Sequence, residues 1–168
     1  MTYTWWVLLH LACVLAFVGT HGVSMVVLYR MRKERDRRRL EELIAFSGST
    51  VRPMYFCLAA VLLSGVIAGL RSPVKWFSGV PGDALSAVWI WAAIGVLVIT
   101  SLVMSLVAAP YFKRVTEACA VRPTGVPRKS DEELNDILRG PVFHVINLTG
   151  TLGLLVILYL MIFKPGLG

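Results

Sequence analysis

Four long apolar stretches divided by charged segments predict an all-α, up-and-down transmembrane four-helix bundle. The stretches run Thr4–Tyr29, Met54–Leu70, Leu85–Ala109 and Val142–Phe163. Each can cross a hydrocarbon core of about 30 Å at about 1.5 Å per helical residue, Met54–Leu70 being the shortest. The chain is 57% apolar with a mean hydropathy of +0.71, well above an ordinary soluble domain. The runs are continuous rather than alternating. In lipid, where the backbone must satisfy its own hydrogen bonds, that selects helices over barrel strands. With 168 residues and four spans, residues 1–168 form a single domain.

The first stretch has no basic region before it and no small-residue cleavage site after it, so it is expected to stay as a span. Arg30–Phe46 lacks Gly and Pro, which predicts that the first helix continues several turns past the membrane surface, with opposite-charge pairs such as Glu34–Arg38 along it. Ser47–Thr50 is expected to end that helix, and Pro53 to stand in the first turn of the second. The connector Arg71–Ala84, with Ser72-Pro73 and Val80-Pro81-Gly82, reads as turn-rich. Residues 122–128 are punctuated by Pro and Gly. Ser130-Asp131-Glu132-Glu133 then reads as a capping box opening a short amphipathic helix to about Arg139, with Leu134, Ile137 and Leu138 on one side.

Charge orients the bundle. Residues 30–52 hold eight Lys and Arg and residues 110–140 hold six, against only Arg71, Lys75 and Lys164 on the other side. This positive-inside pattern makes the two basic loops cytoplasmic and puts both termini outside, in the plasma (inner) membrane. Trp5, Trp6, Trp76, Trp89 and Trp91 fall at the outer ends of the stretches, and Tyr29, Tyr55 and Tyr111 at the inner ends, as interfacial belts do. The net charge of +7 therefore points to anionic lipid headgroups rather than to nucleic acid.

Small residues recur at four-residue spacing: Ala12, Ala16, Thr20 and Ser24; Ala60, Ser64 and Ala68 beside Gly65 and Gly69; Ser101, Ser105 and Ala109. Such rows are expected to let helix backbones approach closely.

All three histidines lie in or at the edge of spans, where ionisable groups are costly and mark function by default. His10 and His21 are eleven residues apart, which returns to nearly the same helix face about 16 Å further along the axis. His144, Asn147 and Thr151 follow i, i+3, i+7 and form a polar stripe expected to point into the bundle core. Counted from the span midpoints, His21 lies about 6 Å and His144 about 12 Å toward the cytoplasmic side, whereas His10 lies on the outer half. Two neutral imidazoles approaching from two helices suit axial ligation of haem b iron, with His21 and His144 as the pair and His10 the weaker candidate. The alternative is that each histidine hydrogen-bonds a neighbouring helix with nothing bound.

Other chemistry is excluded. Cys13, Cys57 and Cys119 are isolated, the methionines are not spaced as copper ligands, and no catalytic or nucleotide-binding motif is present. Asn147-Leu148-Thr149 matches a glycosylation sequon only by accident inside a span. No metal site is expected beyond haem iron, and no catalytic constellation is legible, which leaves at most the role of an electron-transfer subunit.

Leu8-Leu9-His10-Leu11-Ala12, then Phe17-Val18-Gly19-Thr20-His21-Gly22 and the basic run from Tyr29-Arg30, resembles the first helix of small bacterial membrane proteins of the copper-resistance D-like kind. The resemblance covers helix one and the four-span layout. Those proteins are similar in architecture to four-helix b-type cytochromes, and their recurrent helix-one histidine would correspond to His10 or His21. The methionine- and histidine-rich periplasmic features of copper handling are missing here, which leaves haem rather than copper transport. Two function classes follow. One is a haem b electron-transfer protein or subunit. The other is a non-catalytic membrane protein: an accessory or structural subunit, a homo-oligomer component or a small permease component.

Reporter fusions test the orientation. A cytoplasmic reporter should be active when fused within residues 30–52 or 110–140 and silent at either terminus, and the opposite pattern overturns the assignment.

Overall fold

A computed structural model describes residues 2–72 and 88–164. The chain forms an all-α four-helix bundle built from α1 (Tyr3–Lys33), α2 (Arg37–Leu70), α3 (Val88–Cys119) and α5 (Val142–Phe163), with a short α4 (Asp131–Arg139) before the last helix. The four long helices are apolar enough to cross a membrane, with mean hydropathies of 2.0 to 2.4 in their best windows. Their outward surface agrees: Leu15, Phe56, Leu106 and Ile162 are each at least two-thirds exposed, which in water would be a large aggregation-prone patch. This is a multi-pass membrane protein. The connector 73–84 and the expected start of the third span at Leu85 lie outside the described residues, as does Trp76.

The packing resolves into two compact units. One comprises Met1–Gly22, Val51–Leu97 and Leu154–Gly168; the other comprises Val23–Thr50 and Val98–Gly153. The second holds a core of Leu28, Met31, Leu40, Val115, Cys119 and Phe143, each under 2% exposed.

Local chemistry moves several expected boundaries. α1 stops at Lys33, because the Glu34 carboxylate accepts from the backbone N–H groups of Arg35 and Asp36 at 2.9 and 3.1 Å. Those bonds, Asp36 first, hold the Glu34 carboxyl below its usual range. Asp36 then accepts from Arg38 N–H at 2.9 Å at the start of α2. The helical extension beyond the first span therefore belongs to α2, and its charged pairs are Arg38–Glu42 and Asp36–Arg39 rather than Glu34–Arg38. Residues 47–50 do not end a helix. Ser49 and Thr50 turn their hydroxyls back onto the carbonyls of Phe46 and Ser47, both at 2.7 Å, and α2 runs through them with Pro53 on its exposed side.

α3 contains one π-helical turn, Met104–Ala108, closed by Ala109 N–H donating to the Met104 carbonyl. Pro110 follows it. A proline here has no N–H for the Leu106 carbonyl and its ring would crowd that oxygen, so the widened turn relieves a clash inside a continuous helix. After Cys119 the chain makes a tight turn, with Arg122 and Val126 paired at 2.8 Å and Gly125 at φ +81°, a value that glycine adopts without strain. α4 opens with the expected capping box: Ser130 Oγ accepts from Glu133 N–H at 3.1 Å, and Glu133 accepts from Ser130 N–H at 3.0 Å. Leu134 and Leu138 are its buried side, with Ile137 half-buried.

Arg37 ties this region together. Its guanidinium donates to the Ala118 carbonyl at 2.7 Å, to the Lys129 carbonyl at 2.8 Å and to Asp131 Oδ1 at 2.6 and 3.0 Å. One side chain thereby joins the start of α2, the end of α3 and the cap of α4.

Of the small-residue rows, that of α3 faces outward, and that of α1 does so only in its first half, since Thr20 is half-buried and Ser24 Oγ lies 3.3 Å from Thr50 Oγ1 of α2. Ala12 and Ala16 are exposed, since residue 12 lies about 200° around the helix from the half-buried His10. Ser101, Ser105 and Ala109 are exposed too, the π turn lying between the ends of that row. Close approach is instead supplied by Gly65 of α2 and Gly153 of α5, with Gly69 and Gly150 buried. A Cβ on Gly153 would sit 2.5 Å from Thr100 Oγ1. Of the expected belt residues, Tyr111 and Trp89 are buried at 3% and 4% exposure, whereas Trp5, Trp91, Tyr29 and Tyr55 are exposed.

Gly153→Leu should lower stability in detergent by about 2 kcal/mol or more, while Ser105→Leu should change it by less than about 0.5 kcal/mol. Thermal unfolding of the two variants side by side tests this. Equal losses would mean that α3 and α5 pack through other faces.

Candidate functional site

Each histidine has a different environment. His10 of α1 is anchored to α2: Nδ1 lies 3.1 Å from the Val61 carbonyl and 3.2 Å from Ser64 Oγ. A carbonyl can only accept, and the Ser64 hydroxyl proton is directed to the Ala60 carbonyl at 2.6 Å. Nδ1 must therefore carry the proton and donate to both, and Nε2 is a lone-pair nitrogen without a partner among the described residues. Gly65 makes room for the ring, since a Cβ there would stand 3.0 Å from His10 Cε1.

His21 stacks on Phe17 one turn earlier, with ring centroids 6.0 Å apart and planes within 21°. Its Nε2 is buried and has no hydrogen-bond partner among the described residues. Burying an unpaired polar nitrogen costs about 1–3 kcal/mol.

His144 is exposed at the start of α5. Its Nε2 lies 3.1 Å from Arg32 Nη1, and because a guanidinium only donates, the ring is the neutral acceptor. Arg32 also lies over the Phe143 ring at 4.6 Å, and Tyr29 meets Phe143 edge-on at 5.3 Å.

The polar stripe of α5 does not point into the core. The buried side is Phe143, Ile146, Gly150 and Gly153, the same spacing displaced by one residue. The glycines admit a neighbouring helix where Asn147 and Thr151 would hold it off. His144 and Thr151 are consequently exposed and Asn147 is half-exposed. Thr151 Oγ1 donates to Asn147 Oδ1 at 3.3 Å, and the Asn147 amide N–H₂ has no partner among the described residues.

This arrangement bears on a haem with His21 and His144 as axial ligands. Nε2 of His144 lies against Arg32, and Nε2 of His21 is buried without a hydrogen-bond partner among the described residues. Among the described residues no cluster of three or more His, Cys, Asp or Glu is placed to hold a metal ion. The histidine that carries a ligand's geometry is His10, with one nitrogen anchored to a carbonyl and the other without a partner among the described residues. Arg37 and the Gly150–Gly153 pair were missed by sequence reasoning. Arg37 was one charge among eight, and a glycine pair three apart in helix four carried the only local signal.

Compared with family models, with curated proteins and with solved structures, the chain matches none, and its function has to be read from its own residues.

His10→Leu should cost about 1 kcal/mol, the scale of an interhelical hydrogen bond in a membrane, whereas His21→Leu should be neutral or stabilising because it removes an unpaired nitrogen. Detergent melts of both variants check this. A larger loss for His21→Leu would reveal a group bound to that ring.

Proposed function

We propose that the chain is a non-catalytic subunit of a membrane complex, oriented with its basic loops in the cytoplasm and both termini outside. The observation that carries the reading is the outward polar stripe of α5. Asn147 and Thr151 lie among exposed apolar side chains that include Leu148, Leu152 and Leu155, and the Asn147 amide N–H₂ has no partner among the described residues. In hydrocarbon a free amide donor is costly, and the remedy is a polar or backbone acceptor on another transmembrane helix. The inferred partner is such a helix, in another protein or in a second copy of this chain.

A second reading is kept by one observation. His10 is held with Nδ1 donating to Val61 and with Nε2 unpartnered among the described residues, as metal-ligating histidines are held, which supports a b-type haem electron-transfer protein with His10 as a ligand. There the haem would supply one-electron chemistry, and α2 would orient the imidazole through Val61 and Ser64.

Native-gel electrophoresis of solubilised membranes tests the first reading. The wild-type chain should migrate with a larger assembly, and Asn147→Leu/Thr151→Val should release it as a folded monomer. Retention of the assembly by the double variant overturns the docking role. The absorption spectrum of the same preparation tests the second. A Soret band that His10→Ala abolishes would replace the structural reading with the haem one.

A further inference from the structure

Two grooves adjoin on the unit that holds the basic segments. One, of about 510 Å³, is lined by Tyr29, Arg32, Lys33, Arg35 and Arg139. The other, of about 270 Å³ and almost wholly apolar, is lined by Met25, Val26, Tyr29, Arg30 and Lys33. They share Tyr29 and Lys33. A cationic recess running into an apolar one is the shape of an amphipathic anion.

The charges of the first groove are free for such a ligand. Arg37, Arg38, Arg39, Lys113 and Lys129 each pair with a carboxylate. Among the described residues Arg32, Lys33, Arg35 and Arg139 pair with none. The nearest acidic side chain in sequence, Glu34, is turned onto the backbone N–H groups of Arg35 and Asp36. Arg32 is also pre-oriented, held by His144 Nε2 on one nitrogen and resting over Phe143, with the rest of its donor fork unused. Four cations around one recess, uncompensated by any carboxylate, repel one another unless an anion enters. Other arginines, Arg114, Arg122 and Arg128 among them, are also outside any ion pair of the described residues, but Arg32, Lys33, Arg35 and Arg139 are the ones that line a common groove.

We infer that these two grooves form a binding site for one anionic glycerophospholipid of the cytoplasmic leaflet, its phosphate among Arg32, Lys33, Arg35 and Arg139 and an acyl chain along Met25, Val26 and Tyr29. Tyr29, half-exposed where the two grooves meet, stands where tyrosines mark the boundary between headgroups and hydrocarbon. The arginines take the phosphate oxygens through planar, charge-assisted hydrogen bonds. The site goes beyond the docking role of α5 and rests only on the membrane orientation.

The full chain in a mild non-ionic detergent is titrated with dioctanoyl phosphatidylglycerol, dioctanoyl phosphatidylcholine or inorganic phosphate, reading thermal stabilisation and bound lipid by native mass spectrometry. Phosphatidylglycerol should stabilise the protein saturably with one lipid bound, and the other two should not. Arg35→Gln/Arg139→Gln, at exposed positions outside any ion pair, should raise the half-saturating concentration about tenfold or more, on the scale of about 1 kcal/mol per basic residue. Arg38→Gln/Arg39→Gln, which removes the same charge beside the groove, should leave it within about twofold. Three outcomes overturn the site: equal losses for the two pairs, which mean only diffuse attraction; equal stabilisation by phosphatidylcholine, which means only apolar adsorption; and equal binding of inorganic phosphate, which means a free-phosphate site.

Discussion

In hydrocarbon no water is available to a backbone N–H or carbonyl, so this chain must close its hydrogen bonds within its own helices or hand them to a named side chain. Most departures from regular helix fall in the charged segments outside the apolar spans, where side chains take up the freed groups beside water. The break at residues 34–36 exists because Glu34 and Asp36 accept the N–H groups it frees. The end of α3 is held by Arg37, which donates to the Ala118 carbonyl, and α4 begins where Ser130 and Glu133 cap each other. Inside α3, where no side chain substitutes for the donor that Pro110 lacks, the helix instead widens by one π turn.

Arg37 has a second consequence. Its guanidinium is largely buried, at 17% exposure, while Asp131 is 89% exposed, so much of its stabilisation comes from the two carbonyls it bonds and less from the screened ion pair. Charge-assisted hydrogen bonds of this kind contribute about 1.5–3 kcal/mol each. They hold α2, α3 and α4 around the unit's apolar core. They also commit Arg37 to structure, in contrast to Arg32, Lys33, Arg35 and Arg139, whose charges remain open.

The three histidines, alike as ionisable residues in or beside spans, meet three different environments. His10 is satisfied on one nitrogen by α2, His144 is an acceptor for an arginine, and His21 is enclosed and unpaired. His10 and His21, which periodicity puts on nearly the same face of α1, are both half-buried. Periodicity misplaced His144, because a stripe at i, i+3, i+7 and its neighbour one residue earlier have the same period. The choice between them is made by what the adjoining helix touches, Gly150 and Gly153 offering less bulk than Asn147 and Thr151.

By itself the sequence determined the fold class, the identity of the four long helices, the extent of the last one from Val142 to Phe163 and the capping box at Ser130. These follow from run length, hydropathy and short-range chemistry, which are local quantities. Tertiary structure alone decided which face of each helix is buried, that residues 37–53 continue the second helix, and that Arg37 is a structural clamp while four neighbouring cations stay unpaired. The physical reason is that hydropathy is nearly uniform around a membrane helix. With apolar residues on all sides, inward and outward faces differ only in the shape they present to a neighbour, and shape is a property of two helices at once.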